Sequence, residues 1–507
     1  MARRVSSFVQ KYAWGKAGDE SIVANLKSAG DKSFYVSQDE TYAEMWIGTH
    51  PSGPSYLMNT AGSIGPLLKD LITSDPSTLG DIAGEGDLPF LFKVISIHKA
   101  LSIQAHPDKN LAEVLNTERP DVYEDDNHKP EMAVTLSDFE ALCGFRPFQE
   151  IVWSLRQYPE LRAVVSHEAL KQASSFIPSG WMPQMLVAGD DQEKQRVALK
   201  VLFSSYIKGD ERTFAKRLRE LVTRLSWAVA SGALGGDEGM KLVDDSESES
   251  EVRSVDEQGG DDESLGEKTE LVEEMFASHF RSGSMSSEAM EKRLKEESAD
   301  VVRVMLRLST EYPGDLGVMM PLLLNLLRLE PGQAFFMTVD EPHAYLRGDI
   351  LECMACSNNV VRCALTPKYR DVDLLVDMLT YNMSPPPVIR AVEVDECRRR
   401  FTPPTSEFEI ENIQVPANFV YQMSPMPVPA VLVALKGAKG GMIIDDASGK
   451  EMGAAQGGVF FIPANAKCCM IACKDSPLHL AMAHTNLNWN PLVVSQGGST
   501  TTVPPDS

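Results

Sequence analysis

Residues 88–109 read LPFLFKVISIHKALSIQAHPDK. Short apolar runs at 90–97 and 101–105 are separated by polar punctuation, and the rhythm continues at 132–136 and 141–145. Apolar runs of strand length with turn signals between them predict strands, so the first 150 residues or so are expected to form a β-rich domain.

From Phe148 onward the period changes. Phe214, Leu218, Leu221, Val222 and Leu225, and again Val301, Val304, Met305 and Leu308, recur at the three-and-four spacing that lines one face of a helix. Residues 150–328 are therefore predicted to be helical. After Gly332 the strand signature returns at 334–339, and residues 345–346 and 350–355 flank Arg347-Gly348-Asp349, which predicts a hairpin. Beyond residue 428, VPAVLVALKG, GGMIIDD, GGVFFIPA and KCCMIAC, separated by glycines, predict a second small β-domain. The expected division is a β-domain built from 1–149 and 329–395, a helical domain at 150–328, and a C-terminal β-domain at 396–507. A helical block inserted into one β-domain lets residues before 150 and after 330 share a cavity.

With 507 residues, 43% hydrophobic and 24% charged, the chain has globular proportions, which excludes wholesale disorder and fibres. A net charge of −24 makes a phosphate backbone a poor partner. Much of that charge lies at about 237–270, where fourteen acids face three bases. Within it DDSESESEVRSVDEQGGDDES (244–264) has almost no core-forming side chains, so it is expected to be a disordered insertion, either a tolerated surface loop or a segment regulated at its serines. The Gly-, Ser-, Thr- and Pro-rich tail from Ser495 is expected to fray. The most apolar stretch, 318–329, is interrupted by Pro321, Asn325 and Arg328 and is too short to span a bilayer. Eight cysteines and an N-terminus without the apolar core of a secretory signal fit reduced thiols in the cytoplasm. Cys353-x-x-Cys356 has no second pair at zinc-ribbon spacing, and it reads, like Cys468, Cys469 and Cys473, as small buried side chains.

The chemistry-bearing residues stand in three places. Gln104 and His106 are two apart, so on a strand both leave the same face. Glu131 follows Pro130, which sets a strand entry, with His128 and Lys129 just before it; His343 follows Pro342. Two imidazoles, one carboxylate and one amide oxygen suit a divalent metal, zinc first, with a position left for water or a substrate oxygen. A single anionic ligand leaves such an ion with Lewis acidity. Taken one at a time, each reads first as a hydrogen-bonded polar residue at a strand end, and only the four together point to a metal. Lys93, Lys129, Arg362 and Lys368 are cations in or beside apolar strands. They suit a phosphorylated small molecule, or else pair with local carboxylates such as Glu352 or Asp349.

The strings KYAWG (11–15), YAEMWIGTHPSGPS (42–55), LPFLFKVISIHKALSIQAHPDK (88–109), NHKPEMAV (127–134) and EPHAYLRGDILECMACSNNVVRCALTPKYRDV (341–372) resemble type I mannose-6-phosphate isomerase. The resemblance implies a mainly β fold with a helical insertion: two cupin-like (double-stranded β-helix) barrels plus an α-helical domain. It implies one zinc held by Gln104, His106, Glu131 and His343, an active-site arginine at Arg362, and a substrate cavity that includes Lys93, Ser102, Lys129, Tyr345 and Glu352, with Lys368 beside it. The implied reaction interconverts mannose 6-phosphate and fructose 6-phosphate through a cis-enediolate and supplies GDP-mannose synthesis. For that reaction Glu352 is the first candidate base, with Lys129 and His128 next, and Arg362 either holds phosphate or stabilises the enediolate. The expected molecule is a cytoplasmic monomer acting on a small sugar phosphate, with no nucleic-acid or membrane partner. Two other readings stand beside it. A metal-dependent cupin oxygenase would want iron and an open facial triad, against which Gln104 and the basic residues argue. A non-catalytic sugar-phosphate-binding cupin would bind without turnover.

Overall fold

The computed structural model describes residues 1–59, 63–176, 189–231, 261–280, 287–385, 388–438 and 440–489. The strand Phe90–Ile97 is buried along its whole length and shows how the site is built. Successive side chains on a strand point to opposite faces. Phe92 and Val94 therefore join one apolar core with Met132, Val134, Leu351 and Cys353, while Ile95 and Ile97 join another with Ala133, Ile350 and Tyr345. Lys93 lies on the second face, as do Glu131 and Glu352 by the same alternation.

That strand belongs to a branched, eleven-stranded sheet whose main path runs Val388–Ile389, Ala334–Met337, Glu131–Thr135, His343–Ala355, Phe90–Ile97, Glu44–Ile47, Phe8–Gln10. The branch point is the strand His343–Ala355. Its second half pairs with Phe90–Ile97 and Glu131–Thr135, and its first half with Phe139–Phe145 and Ile103–Ala105, which in turn pair with Leu324–Leu329 and Val361–Ala364. Two leaves thus face each other across the core of Ile95, Phe139, Phe335 and Tyr345. The hairpin expected at residues 347–349 does not form, because Gly348 bends the strand instead of reversing it. Its φ of +120° is open to glycine, and a Cβ there would stand 2.6 Å from Asp138 O. Each half of the strand finds its partners elsewhere.

The helices expected at 150–328 are present. Phe214, Leu218, Leu221 and Leu225 lie on the buried face of Glu211–Ala230, whose N-terminus is capped by Asp210 accepting from Thr213 N at 2.7 Å. Val301, Val304, Met305 and Leu308 do the same on Ser287–Glu311. The helices pack on the outer face of the second leaf, sharing a core with Ile103, Leu142, Leu346, Val361 and Cys363. The last part of the predicted block is a strand, Leu324–Leu329, because the apolar strand Phe139–Phe145 offers it an antiparallel ladder. Of the acidic segment expected to lack structure, residues 237–260 lie outside the described residues. Helix Asp261–Phe280 begins inside that segment and extends beyond it, since Val272 and Met275 bury against the helical core. The tail from Ser495 is also outside the described residues.

The C-terminal module has a seven-stranded sheet, in order Arg3–Arg4, Val459–Ile462, Ala430–Lys436, Leu478–His484, Glu409–Val415, Arg398–Phe401, Val392–Glu393. A four-stranded sheet, in order Val420–Met423, Cys468–Ile471, Met442–Asp445, Lys450–Gly453, covers its inner face. Ile413, Leu432, Phe460, Met470 and Leu480 fill the space between them. Its outer face, with Val431, Val433, Phe461, Ala481 and Ala483, packs against Phe92, Val94, Val134 and Leu351 of the first module. Each fully buried side chain of this kind contributes about 1.5–3 kcal/mol. The architecture is thus mixed β sheets and helices, and among the described residues no sheet order closes into a barrel. The pairing of Arg3–Arg4 with the C-terminal sheet has no signal in the local sequence. No described helix is long and apolar enough to cross a membrane. All eight cysteines are free thiols, and Cys353 is buried in the shared core.

Candidate active site

The alternation along Phe90–Ile97, Glu131–Thr135 and His343–Ala355 aims Lys93, Glu131 and Glu352 into the space between the leaves. From the opposite leaf, His343, Gln104 and Arg362 form a row, His343 paired with Gln104 and Gln104 with Arg362 across neighbouring strands. A small cavity between the leaves is lined by Glu44, Lys93, Ser102, Gln104, Lys129, Glu131, His343, Tyr345 and Glu352, together with Ile95, Leu101 and Ala344.

At its wall His106, behind Glu131 and His343, joins them in a cluster in which each can bring one ligand atom to within 4.8 Å of the others, and all three are buried. His106 Nδ1 meets Asn359 O at 2.7 Å and His343 Nδ1 meets Glu341 O at 3.0 Å. A carbonyl only accepts, so each Nδ1 is the donor, and in a neutral ring the Nε2 lone pair is left free. Both Nε2 atoms are buried without a hydrogen bond, His106 Nε2 lying 3.4 Å from Glu131 Oε1 and His343 Nε2 3.4 Å from Glu131 Oε2. Burial, aided by the charge of Lys129, pushes His106 down to about 4, so the ring is neutral at pH 7. Burial opposes ionisation of Glu131, but Lys129, 3.0 Å away, and the two imidazoles hold its pKa well below the usual carboxyl range. Two inward lone pairs facing an ionised carboxylate fit a divalent cation, which would satisfy the orphaned nitrogens. Gln104 shares the face with them, and its Oε1 accepts from Ser102 Oγ at 3.1 Å.

A second group surrounds Glu352. Lys93 Nζ lies 2.8 Å from Glu352 Oε2, and Tyr345 OH donates to Oε1 at 2.6 Å. Burial works against the Lys93 charge, yet Glu352, Glu44 and Glu131 raise its pKa. Burial raises that of Glu352 despite Lys93. Tyr345 is buried and its hydroxyl is pushed up, so it stays a donor. The Arg362 side chain is half-buried and makes no hydrogen bond or ion pair among the described residues, and burial lowers its pKa.

Two expected members stand elsewhere. The His128 ring turns away from the cavity to Glu407, 2.5 Å away, because that carboxylate from the C-terminal module offers it a partner. Lys368 is exposed in the turn after Val361–Ala364, where no buried anion draws it in. Glu44 was absent from the sequence-based list. It is buried in the cavity wall 3.6 Å from Lys93 and accepts from Trp46 Nε1, and Lys93 sits over the Trp46 ring at 5.2 Å. The signal was available: a carboxylate inside the apolar run AEMWI, like Lys93 inside FLFKVIS. A larger cavity of about 700 Å³ lies at the Gly348 bend, beside Lys16, Arg307 and Arg328. These cations already face Asp349, Glu140 and Asp300 at 2.5–2.7 Å.

A further buried cluster, Glu409, Glu411 and His484, lies in the C-terminal sheet, where Glu409 is paired with His484 and Glu411 with Arg400. Arg400 Nε stands 2.7 Å from Glu411 Oε1 and 3.0 Å from Glu409 Oε2. Arg398 reaches Glu411 Oε2 at 3.4 Å, and Asn488 Nδ2 donates to Glu409 Oε1 at 2.8 Å.

The cavity sets a His-Glu-His cluster beside buried lysine–glutamate pairs. Residues 3–148 match the family model for the phosphomannose isomerase type I catalytic domain. The chain is 33% identical to mannose-6-phosphate isomerase 1 of Arabidopsis thaliana over 94% of this chain and 93% of that protein. It is 33% identical to the mannose-6-phosphate isomerase of Homo sapiens over 91% and 93%. Among solved structures, a phosphomannose isomerase variant from Salmonella typhimurium superposes with a TM-score of 0.67 at 24% identity, covering 96% of this chain and all of that one. A mannose 6-phosphate isomerase bound with zinc and yttrium superposes at 0.66 and 23%, with the same coverage. The chain belongs to the type I mannose-6-phosphate isomerase family.

Proposed function

We propose that the chain interconverts mannose 6-phosphate and fructose 6-phosphate with one zinc ion held by Gln104, His106, Glu131 and His343. The observation that carries the metal assignment is the pair of buried, unpartnered imidazole nitrogens facing Glu131. When bound, the ion supplies Lewis acidity toward the carbonyl and hydroxyl oxygens of the sugar. Glu352 is the base that moves the proton between C2 and C1 through a cis-enediolate. Its raised pKa favours accepting a proton, and Tyr345 and Lys93 fix its two oxygens. Lys129 orients Glu131. Arg362, with no carboxylate of its own, is left to meet the phosphate or the developing enediolate charge. Ser102 steadies Gln104.

In this reading the molecule is a cytoplasmic monomer that supplies mannose phosphate for GDP-mannose synthesis. Its two β-modules follow the cupin plan, with most of 1–149 and 329–395 forming the catalytic unit, most of 150–328 the helical one and 396–507 the C-terminal one, to which Arg3–Arg4 and Val392–Glu393 lend strands as Leu324–Leu329 does to the catalytic unit. The direct test is a coupled assay for fructose 6-phosphate formed from mannose 6-phosphate, before and after chelation and again after zinc is returned. Turnover that survives complete metal removal would reject the zinc assignment. Glu352→Gln is expected to lower kcat by roughly 100- to 10,000-fold, the range for a lost general base. Full activity there would reassign the base.

A further inference from the structure

The turn at residues 127–131 delivers Lys129 and Glu131 to the site, and its two ends are fastened from within the catalytic module. Asn127 O accepts from Ser357 Oγ at 3.0 Å and from Asn359 Nδ2 at 3.1 Å, and Asn127 Nδ2 donates to Cys356 O at 3.0 Å. Pro130 O accepts from Ala355 N at 3.2 Å. Asn359 is also the residue whose carbonyl accepts the hydrogen bond from His106 Nδ1–H. Between these fixed ends, His128 reaches out of the module. Its Nε2 meets Glu407 Oε1 at 2.5 Å.

Glu407 is itself held. Ser406 Oγ at 3.2 Å and Thr405 Oγ1 both donate to its Oε2, which leaves Oε1 for the imidazole. Asn486, at the end of the Leu478–His484 strand, ties that segment to the C-terminal sheet through Thr405 O at 2.6 Å and Pro403 O at 3.1 Å. An ionised carboxylate can only accept, so the imidazole N–H must donate to it. A partly buried, charge-assisted hydrogen bond of this kind is directional and among the stronger ones available.

We infer that Glu407, from the C-terminal module, is a positioning residue of the isomerase site, acting through His128 on the turn that carries Lys129 and Glu131. The inference rests on the function proposed above. It gives the second β-module a part in catalysis, although none of its residues lines the cavity.

The test compares full-length wild type, Glu407→Ala, His128→Ala, the double variant and Glu407→Gln in the coupled assay, together with the rate at which each zinc-loaded protein loses metal to excess chelator. Each alanine variant is expected to lose about tenfold in kcat, with KM moved less than twofold, and to release zinc several-fold faster. The double variant is expected to be no worse than the weaker single. Glu407→Gln keeps an acceptor oxygen for His128 and should retain kcat within about threefold of wild type, whatever its melting temperature. Losses that multiply in the double variant, or Glu407→Ala with wild-type kcat and zinc release, would overturn the inference. If Glu407→Ala does not fold, Glu407→Gln against Glu407→Gln/His128→Ala gives the same comparison. A wild type without turnover would instead overturn the isomerase reading, and zinc release would still report on the bridge.

Discussion

Among the described residues, two buried clusters bring histidine and carboxylate side chains within 4.8 Å of one another, and they differ in what faces the gap. Around Glu131, two imidazole Nε2 atoms are turned inward with no hydrogen bond, and the nearest cation, Lys129, approaches one carboxylate oxygen from the side. Around Glu411, Arg400 Nε donates to Glu411 Oε1 at 2.7 Å and stands 3.0 Å from Glu409 Oε2, which has its charge met but no hydrogen bond, and His484 lies at 3.3 Å. The second cluster carries its own cation. Residue types alone make the two look alike, whereas the partners of each atom separate a receptive site from a filled one. Burying an ionic group is tolerable only when its charge is met, and in the second cluster a fixed guanidinium supplies that charge.

The largest effect that could break this comparison concerns metal content. His343→Ala should reduce bound zinc from one per chain to none and lower kcat by roughly a thousandfold or more, since a Lewis acid of this type supplies several kcal/mol. His484→Ala should leave the metal count at one. Two equivalents of zinc in the wild type, by metal analysis, would show that Arg400 does not close the second cluster. Next in size is Arg400→Met, which leaves Glu409 and Glu411 buried side by side. Denaturant unfolding should report a loss of about 3–5 kcal/mol, with kcat of the folded fraction changed less than threefold. An unaltered midpoint would remove the guanidinium from its assigned role.

Within the first cluster's surroundings, Glu44→Gln takes away one of the carboxylates that hold Lys93 and should lower kcat/KM roughly tenfold. A loss confined to stability would make Glu44 a packing residue only. The smallest effect is with acid. Burial opposes ionisation of both Glu407 and Glu411, yet hydrogen bonds from His128 and His484 bring them down, Glu407 to about 2 and Glu411 below its usual value. A depressed carboxyl contributes stability above its unfolded pKa of ~4.5, and the contribution fades as pH falls toward the folded one. The melting temperature should therefore drop between pH 4.5 and pH 2, less steeply in Glu407→Gln. Parallel curves for the two proteins would discount the His128–Glu407 bond.

How much was legible in the sequence depended on range. Phe90–Ile97, Glu211–Ala230 and Ser287–Glu311 were readable because their periodicity is local. The stretch from Arg347 to Asp349 was misread because a glycine between polar residues marks a bend and a reversal equally well, and only the partners of each half decide between them. Gln104, His106, Glu131 and His343 could be listed from spacing and family likeness, and Lys93 from its cost in an apolar strand. Glu44 carried the same cost but was passed over inside a longer string. Glu407 could not be found this way, since its pairing with His128 spans 279 positions and no local pattern records it. His128 was assigned to chemistry for want of that partner.

The strand His343–Ala355 has one more consequence. His343 and Tyr345 precede its bend and Glu352 follows it, so the proposed metal ligand and the proposed base hang from one unbroken ribbon. The two groups stand on opposite leaves joined at that bend, so the angle taken at Gly348 sets how far the ligand lies from the base. A single residue inserted in that ribbon between the bend and Glu352 would swing the carboxylate to the far side of the sheet, together with every side chain that follows it.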